Sequence, residues 1–180
     1  DKPVIYFPKF FHPDPTVKRQ SGFLIPKFES SSSLGDSLTL PYFKVISDNK
    51  DLTFSPKIFF DDNVLLQSEY RQKNKNSDLI TDQSINFNDD STRSHFFGNF
   101  KNSTENYEYQ LNIESTSNKN YLKKYEVTSP LIDDNMNLNS FISFEKDFDN
   151  SYFSTSFEVF EDLTKNDSDS FEYILSLIHI

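Results

Sequence analysis

Apolar and polar side chains alternate with a period of two along most of this chain, and that period constrains the fold more than any other feature. At 107–114 one face reads Tyr107, Tyr109, Leu111, Ile113 and the other Glu108, Gln110, Asn112, Glu114. At 153–159 Phe153, Thr155, Phe157 and Val159 alternate with Ser154, Ser156 and Glu158. Ile85 and Phe87 stand against Ser84, Asn86 and Asn88, and Leu138, Ile142 and Phe144 against Asn139, Ser143 and Glu145, with Phe141 as the exception. Each such segment is a strand with one apolar and one hydrated face. Helical periodicity is nearly absent.

Clusters of Asn, Asp, Ser and Lys punctuate these segments at even spacing: 47–50, 61–63, 73–76, 88–90, 102–103, 117–120, 133–135, 147–150 and 166–168. Such residues satisfy their own backbone in turns. The count is about ten strands in an antiparallel up-and-down meander, the sequence habit of barrels. Residues 1–20 differ in kind, because Pro3, Pro8, Pro13 and Pro15 break them up after the short apolar run Val4–Phe7. They read as a strand and linker of a separate upstream domain, and the chain as a fragment that begins within a longer protein. The stretch 173–180 drops the alternation and reads either as a truncated strand or as a non-native ending.

Composition narrows the function classes. The net charge of −10 argues against a nucleic-acid partner, since phosphate backbones are bound by clustered Lys and Arg. With no Cys there is no disulfide framework or thiolate metal site in this segment. No apolar run is long enough for a transmembrane helix, yet a barrel strand needs only about 9–11 alternating residues. The 20 Phe and 9 Tyr argue for a folded object, since a disordered chain is depleted in aromatics. Alternation fits both an outer-membrane barrel and a soluble sandwich. Aromatic-rich apolar faces opposed by acids and amides favour the barrel, whose lumen is wet and whose aromatics gather at the membrane interfaces.

The run Tyr6 to Pro26 resembles the junction between periplasmic domain and barrel in the lipopolysaccharide-assembly (LptD, also OstA/Imp) family of outer-membrane proteins. Ser30–Gly35, Pro41-Tyr42-Phe43 and Asp51–Lys57 continue that pattern in order, and Leu66–Arg71 and Tyr121–Tyr125 resemble later strands of the family. The likeness is strong over residues 1–72 and looser to about residue 160. It implies an all-β chain in which residues 1–20 end a periplasmic jelly roll and 21–180 supply the first strands of a large, incomplete transmembrane barrel. It further implies insertion of lipopolysaccharide into the outer leaflet of a Gram-negative outer membrane, with the N-terminal segment on the periplasmic side. The implied partners are lipopolysaccharide, a barrel-plugging lipoprotein (LptE-like) and a periplasmic bridge protein (LptA-like). No enzyme activity, cofactor or metal is expected. The alternatives are another porin or channel, or a soluble carbohydrate-binding sandwich.

Among candidate residues, Pro26 and Pro41 fall inside the first two strands, where a residue without an N–H weakens the ladder. Taken alone, each marks a turn or strand end; the resemblance assigns both to a lateral gate. Pro56 follows the same logic in the third strand. Lys18, Arg19 and Lys27 stand near the domain junction, either as phosphate contacts or as plain solvated charges. Phe23, Leu24 and Ile25 either line an acyl-chain path or face lipid. His12 and Asp14 invite a metal reading, but Pro13 and Pro15 favour a rigid linker, and His95 shares a polar face with Arg93 and Lys101 and is expected on the lumenal surface. No Ser/His/Asp grouping stands out by spacing.

Overall fold

A computed structural model describes residues 19–31, 34–60, 63–88, 91–166 and 169–180; the expected jelly-roll strand and Lys18, His12 and Asp14 lie outside them. The described residues form one open antiparallel sheet of 12 strands and one short helix. In chain order these are β1 (Gly22–Phe23), β2 (Lys27–Ser31), β3 (Gly35–Thr39), β4 (Tyr42–Ser47), β5 (Lys50–Phe59), β6 (Asn63–Lys73), β7 (Ser77–Asn88), β8 (Ser91–Ser103), β9 (Tyr107–Thr116), α1 (Tyr121–Lys124), β10 (Asn137–Phe148), β11 (Ser151–Asp162) and β12 (Phe171–His179). From β4 to β12 each strand pairs with the next in sequence. β1 and β2 are two halves of one interrupted strand along β4 and β3, and β3 and β4 together flank β5. Counted so, the meander has the ten or so strands that the turn spacing implies. The 173–180 stretch is strand β12, registered along β11 from Phe171 to His179.

Connections at the two rims differ. Asp48-Asn49, Asn74–Asn76 and Asp149-Asn150 are tight turns at one rim, whereas residues 117–136 and 163–170 are long connections at the other. Gly35, at φ 68, supplies the left-handed residue that leads from the β2 side into β3.

One face of the sheet is apolar and exposed, while the covered face carries buried polar side chains beside the apolar ones. Phe54, Ile58, Tyr109, Leu111, Ile142 and Phe157 are exposed, while Asp51, Asn63, Asp82, Ser84, Asn86 and His95 are buried. Register makes this a property of whole faces: Leu111, Ile142, Phe157 and Leu175 line up across β9–β12 on the exposed face. Glu69, Asp82 and Phe97 line up on the opposite face across β6–β8.

The 117–136 connection covers that second face. Tyr121, Leu122, Tyr125 and Val127 are buried with Phe59, Leu65, Phe97, Leu138 and Leu163 in the main apolar cluster. The likeness of Tyr121–Tyr125 to a barrel strand does not hold, since this stretch is α1 and its C-terminal turn. β9 and β10 already pair with each other and with their outer neighbours, so no sheet edge is open to the segment. A Schellman motif closes the helix: Val127 N–H reaches Leu122 O at 2.9 Å, Glu126 N–H reaches Lys123 O, and Glu126 takes φ 51. A helix this short does not hold in water by itself. Burial of its aromatic and aliphatic side chains, at about 1.5–3 kcal/mol for each large one, stabilises it here.

Candidate functional site

Two prolines break the sheet at its first edge. Between the pairs Phe23↔Tyr42 and Lys27↔Thr39, the three residues Leu24–Pro26 span the gap opposite only Leu40 and Pro41. The extra residue makes the gap a bulge, and neither Pro26 nor Pro41 offers an N–H to close it. Among the described residues one ladder bond crosses it, from Leu24 N–H to Pro41 O at 2.8 Å. On the other side Leu40 N–H reaches Pro56 O at 3.0 Å, so the break does not spread into β5. Pro26 is exposed and Pro41 buried.

The gap opens onto a cleft of about 640 Å³ between the polar face and the 125–130 segment. Leu24, Ile25 and Pro41 form its apolar end. Its floor carries Lys27, Glu29, Lys57, Gln67, Glu69 and Asp82, and Tyr125–Pro130 form the roof. Gln67 Nε2 ties floor to roof through Thr128 O at 2.9 Å and also reaches both Asp82 oxygens at 3.1 Å. Lys57, nearly buried, is neutralised by Glu29 at 2.8 Å. The lining at the gap thus suits alkyl chains, and the Lys, Glu, Gln and Asp side chains of the floor suit hydroxyl-rich or charged groups, with Leu65 and Val127 adding apolar surface between.

The residues singled out by the sequence pattern separate here into distinct places. Leu24, Ile25, Lys27 and Pro41 converge on the cleft. Phe23 lies on the exposed apolar face, its ring edge-on to Tyr42 at 5.1 Å, and is 79% exposed. Arg19 is away from the cleft, ion-paired to Asp51. The cleft roof and the Lys57–Glu29 pair had no sequence signal, because the irregular segment 125–130 has no readable period and the ion pair forms only through the β2–β3–β5 pairing.

A Ser/His/Asp grouping that spacing did not reveal also forms beneath α1. Ser84 Oγ lies 2.6 Å from His95 Nδ1, and His95 Nε2 lies 3.3 Å from Asp82 Oδ1. A nucleophile needs an approach path and oxyanion donors. Here all three side chains are buried, and Ser84 Oγ is also held at 2.6 Å by the Tyr121 hydroxyl. With Tyr125 donating to Asn86 Oδ1 at 2.8 Å, the group is a hydrogen-bonded dock for the connection. Among the described residues, no group of three or more His, Asp or Glu side chains is placed to hold a metal ion.

Burial pushes the Tyr121 phenol from its ordinary value of about 10 up to about 12, against the opposing pull of its hydrogen bond with Ser84. A raised folded-state pKa means that the folded form keeps a proton the unfolded form gives up. The stability linked to this phenol is therefore fully present below about pH 10 and is lost as pH rises through the window to about 12. An ultraviolet titration of the folded protein is expected to show a late-ionising component that Tyr121→Phe removes. A Tyr121→Phe protein with an unchanged titration curve would contradict this.

The chain is 37% identical to the LPS-assembly protein LptD of Pseudomonas entomophila (strain L48) over 78 residues, 43% of this chain and 8% of that protein. It is 35% identical to LptD of Pseudomonas aeruginosa (strain UCBPP-PA14) over 91 residues, 50% of this chain and 10% of that protein. It is 37% identical to LptD of Idiomarina loihiensis over 71 residues, 39% of this chain and 9% of that protein. The matches thus span about a tenth or less of these curated relatives' length. No protein-family model matches the chain.

Proposed function

We propose that this chain is the first part of an outer-membrane barrel of the LptD kind, which inserts lipopolysaccharide into the outer leaflet, and that the break at Pro26 and Pro41 is its lateral gate. The observation that carries the reading is the position of the break, where the exposed apolar face of the sheet meets the apolar end of a polar-floored cleft. An amphipathic lipid needs such a junction. Its acyl chains leave between Leu24–Pro26 and Pro41 into the bilayer, while its sugar stays over Lys27, Lys57, Gln67 and Glu69. The broad exposed apolar face supports membrane residence, and the relatives' names supply the substrate class.

The rims support an orientation. Outer-membrane barrels have short periplasmic turns and long extracellular loops. β1 begins at the short-turn rim, where Arg19 meets Asp51 at the start of β5, which supports the reading of a periplasmic upstream segment. A periplasmic bridge protein then delivers lipid to the upstream domain, and a lipoprotein partner fills the lumen of the closed barrel. The role is passage and insertion, with no bond chemistry assigned to any residue.

Photocrosslinking in the full-length protein tests the gate. Probes at Ile25 and Leu40 are expected to form adducts with lipopolysaccharide in cells, and a probe at Phe157 is not. If the protein folds in the outer membrane and neither gate probe captures lipopolysaccharide, the gate is wrong and a general solute channel is the better description.

A further inference from the structure

The first strand is poorly held by its own ladder. β1 has only two residues, its register along β4 is Gly22↔Phe43 and Phe23↔Tyr42, and the bulge separates it from β2. Something else must keep it in place. The Asp51 carboxylate is buried on the polar face at the start of β5, and two arginines meet on it. Arg71 Nε of β6 donates to Oδ1 at 2.8 Å, and Arg19, three residues before β1, pairs with Oδ2. Arg71 also lies 3.3 Å from Glu69. Arg19 stacks its guanidinium over the Phe43 ring at 5.5 Å, and Ser21 Oγ accepts the Val45 N–H at 2.9 Å.

We infer that Asp51, charge-neutralised and oriented by Arg71, is a positioning residue that clasps Arg19 and so holds β1 against β4 at the broken edge. The chemistry favours a clasp over a lone surface pair. A buried carboxylate is costly unless it is paired and hydrogen-bonded, and Arg71 satisfies only one of its oxygens. The second oxygen is thereby left for Arg19 Nη2, while Arg19 Nη1 donates to Asp48 O at 3.5 Å and the Phe43 ring beneath limits where the guanidinium can lie. The clasp grips the chain at Arg19, just before the strand, so residues 19–21 and β1 are seated together. Its meaning for lipid passage rests on the gate reading, but its physical content does not.

Residue-resolved hydrogen exchange on the full-length protein in detergent micelles tests it without any lipopolysaccharide. The reporters are the Leu24 amide, bonded to Pro41 O, and the Val45 amide, bonded to Ser21 Oγ. Arg19→Ala is expected to speed exchange at both by about tenfold, as loss of one charge-assisted hydrogen bond implies, and Asp51→Asn, which weakens both arginine contacts, by at least as much. Amides of β10 and β11 should keep their wild-type rates. If Asp51→Asn does not fold, Arg19→Ala carries the test, since the Arg19 side chain is 43% exposed and its removal leaves no cavity. Wild-type rates at Leu24 and Val45 in Arg19→Ala would overturn the clasp, as would a uniform increase that includes β10 and β11. A failed crosslinking experiment at the gate would leave this outcome untouched.

Discussion

Leu111→Arg and Ile142→Arg are each expected to lower folding stability by about 2–4 kcal/mol in a phospholipid bilayer, while Phe148→Arg costs about 0–1 kcal/mol. Leu111 and Ile142 are cross-strand neighbours in the middle of the exposed face. Phe148 is also exposed, but at the strand end beside the tight turn to β11. Hydrocarbon penalises a guanidinium by depth, and at the rim Arg reaches the headgroups. Were this face instead the hidden side of a soluble sandwich, the cost would follow packing and not distance from the rim. Urea titration of protein folded into vesicles, scored by the gel mobility of the folded form, measures all three. Equal costs at Leu111 and Phe148 would defeat the membrane assignment of this face.

Phe97→Ala is the second large effect expected, at about 3–5 kcal/mol, the range for truncating a buried aromatic. The Phe97 side chain is fully buried on β8, stacks on His95 with ring centroids 4.3 Å apart, and belongs to the cluster with Tyr121, Leu122 and Tyr125. The cavity would lie under the contact region that keeps a single-turn helix folded. Besides lowering the urea midpoint, the change is therefore expected to expose Lys123 and Lys124 to trypsin in protein that is still folded. The same truncation at neighbouring Phe96, on the exposed face, should leave the site protected. Equal protection in Phe97→Ala would mean that the dock does not depend on this ring.

These two residues show how the sequence can be read and where reading stops. Phe96 and Phe97 are adjacent aromatics, and local sequence does not say which one is buried. Period two places them on opposite faces, but only the return of residues 117–136 makes one of those faces a core. Likewise Ser84, Asn86 and Asn112 look like solvated positions in any strand pattern, and Asn112 ends up buried with its amide donated to Asn139 O at 2.7 Å. The prolines were legible, because a missing N–H has the same meaning in every strand. What they do together was not, since the one-residue bulge arises from the register of two strands and not from either alone.

Local chemistry in the sequence determined the antiparallel meander, the positions of most turns, the two-faced strands and the weak points at Pro26 and Pro41. Each follows from interactions between residues close in the chain: side-chain alternation, turn hydrogen bonding and a fixed proline ring. Only the tertiary structure decided which face is covered, that Tyr121–Tyr125 is helical, that Ser84, His95 and Asp82 meet beneath it, and that Arg19 and Arg71 share Asp51. Those outcomes depend on contacts between residues far apart in sequence, whose energies exist only once the sheet has brought the partners together.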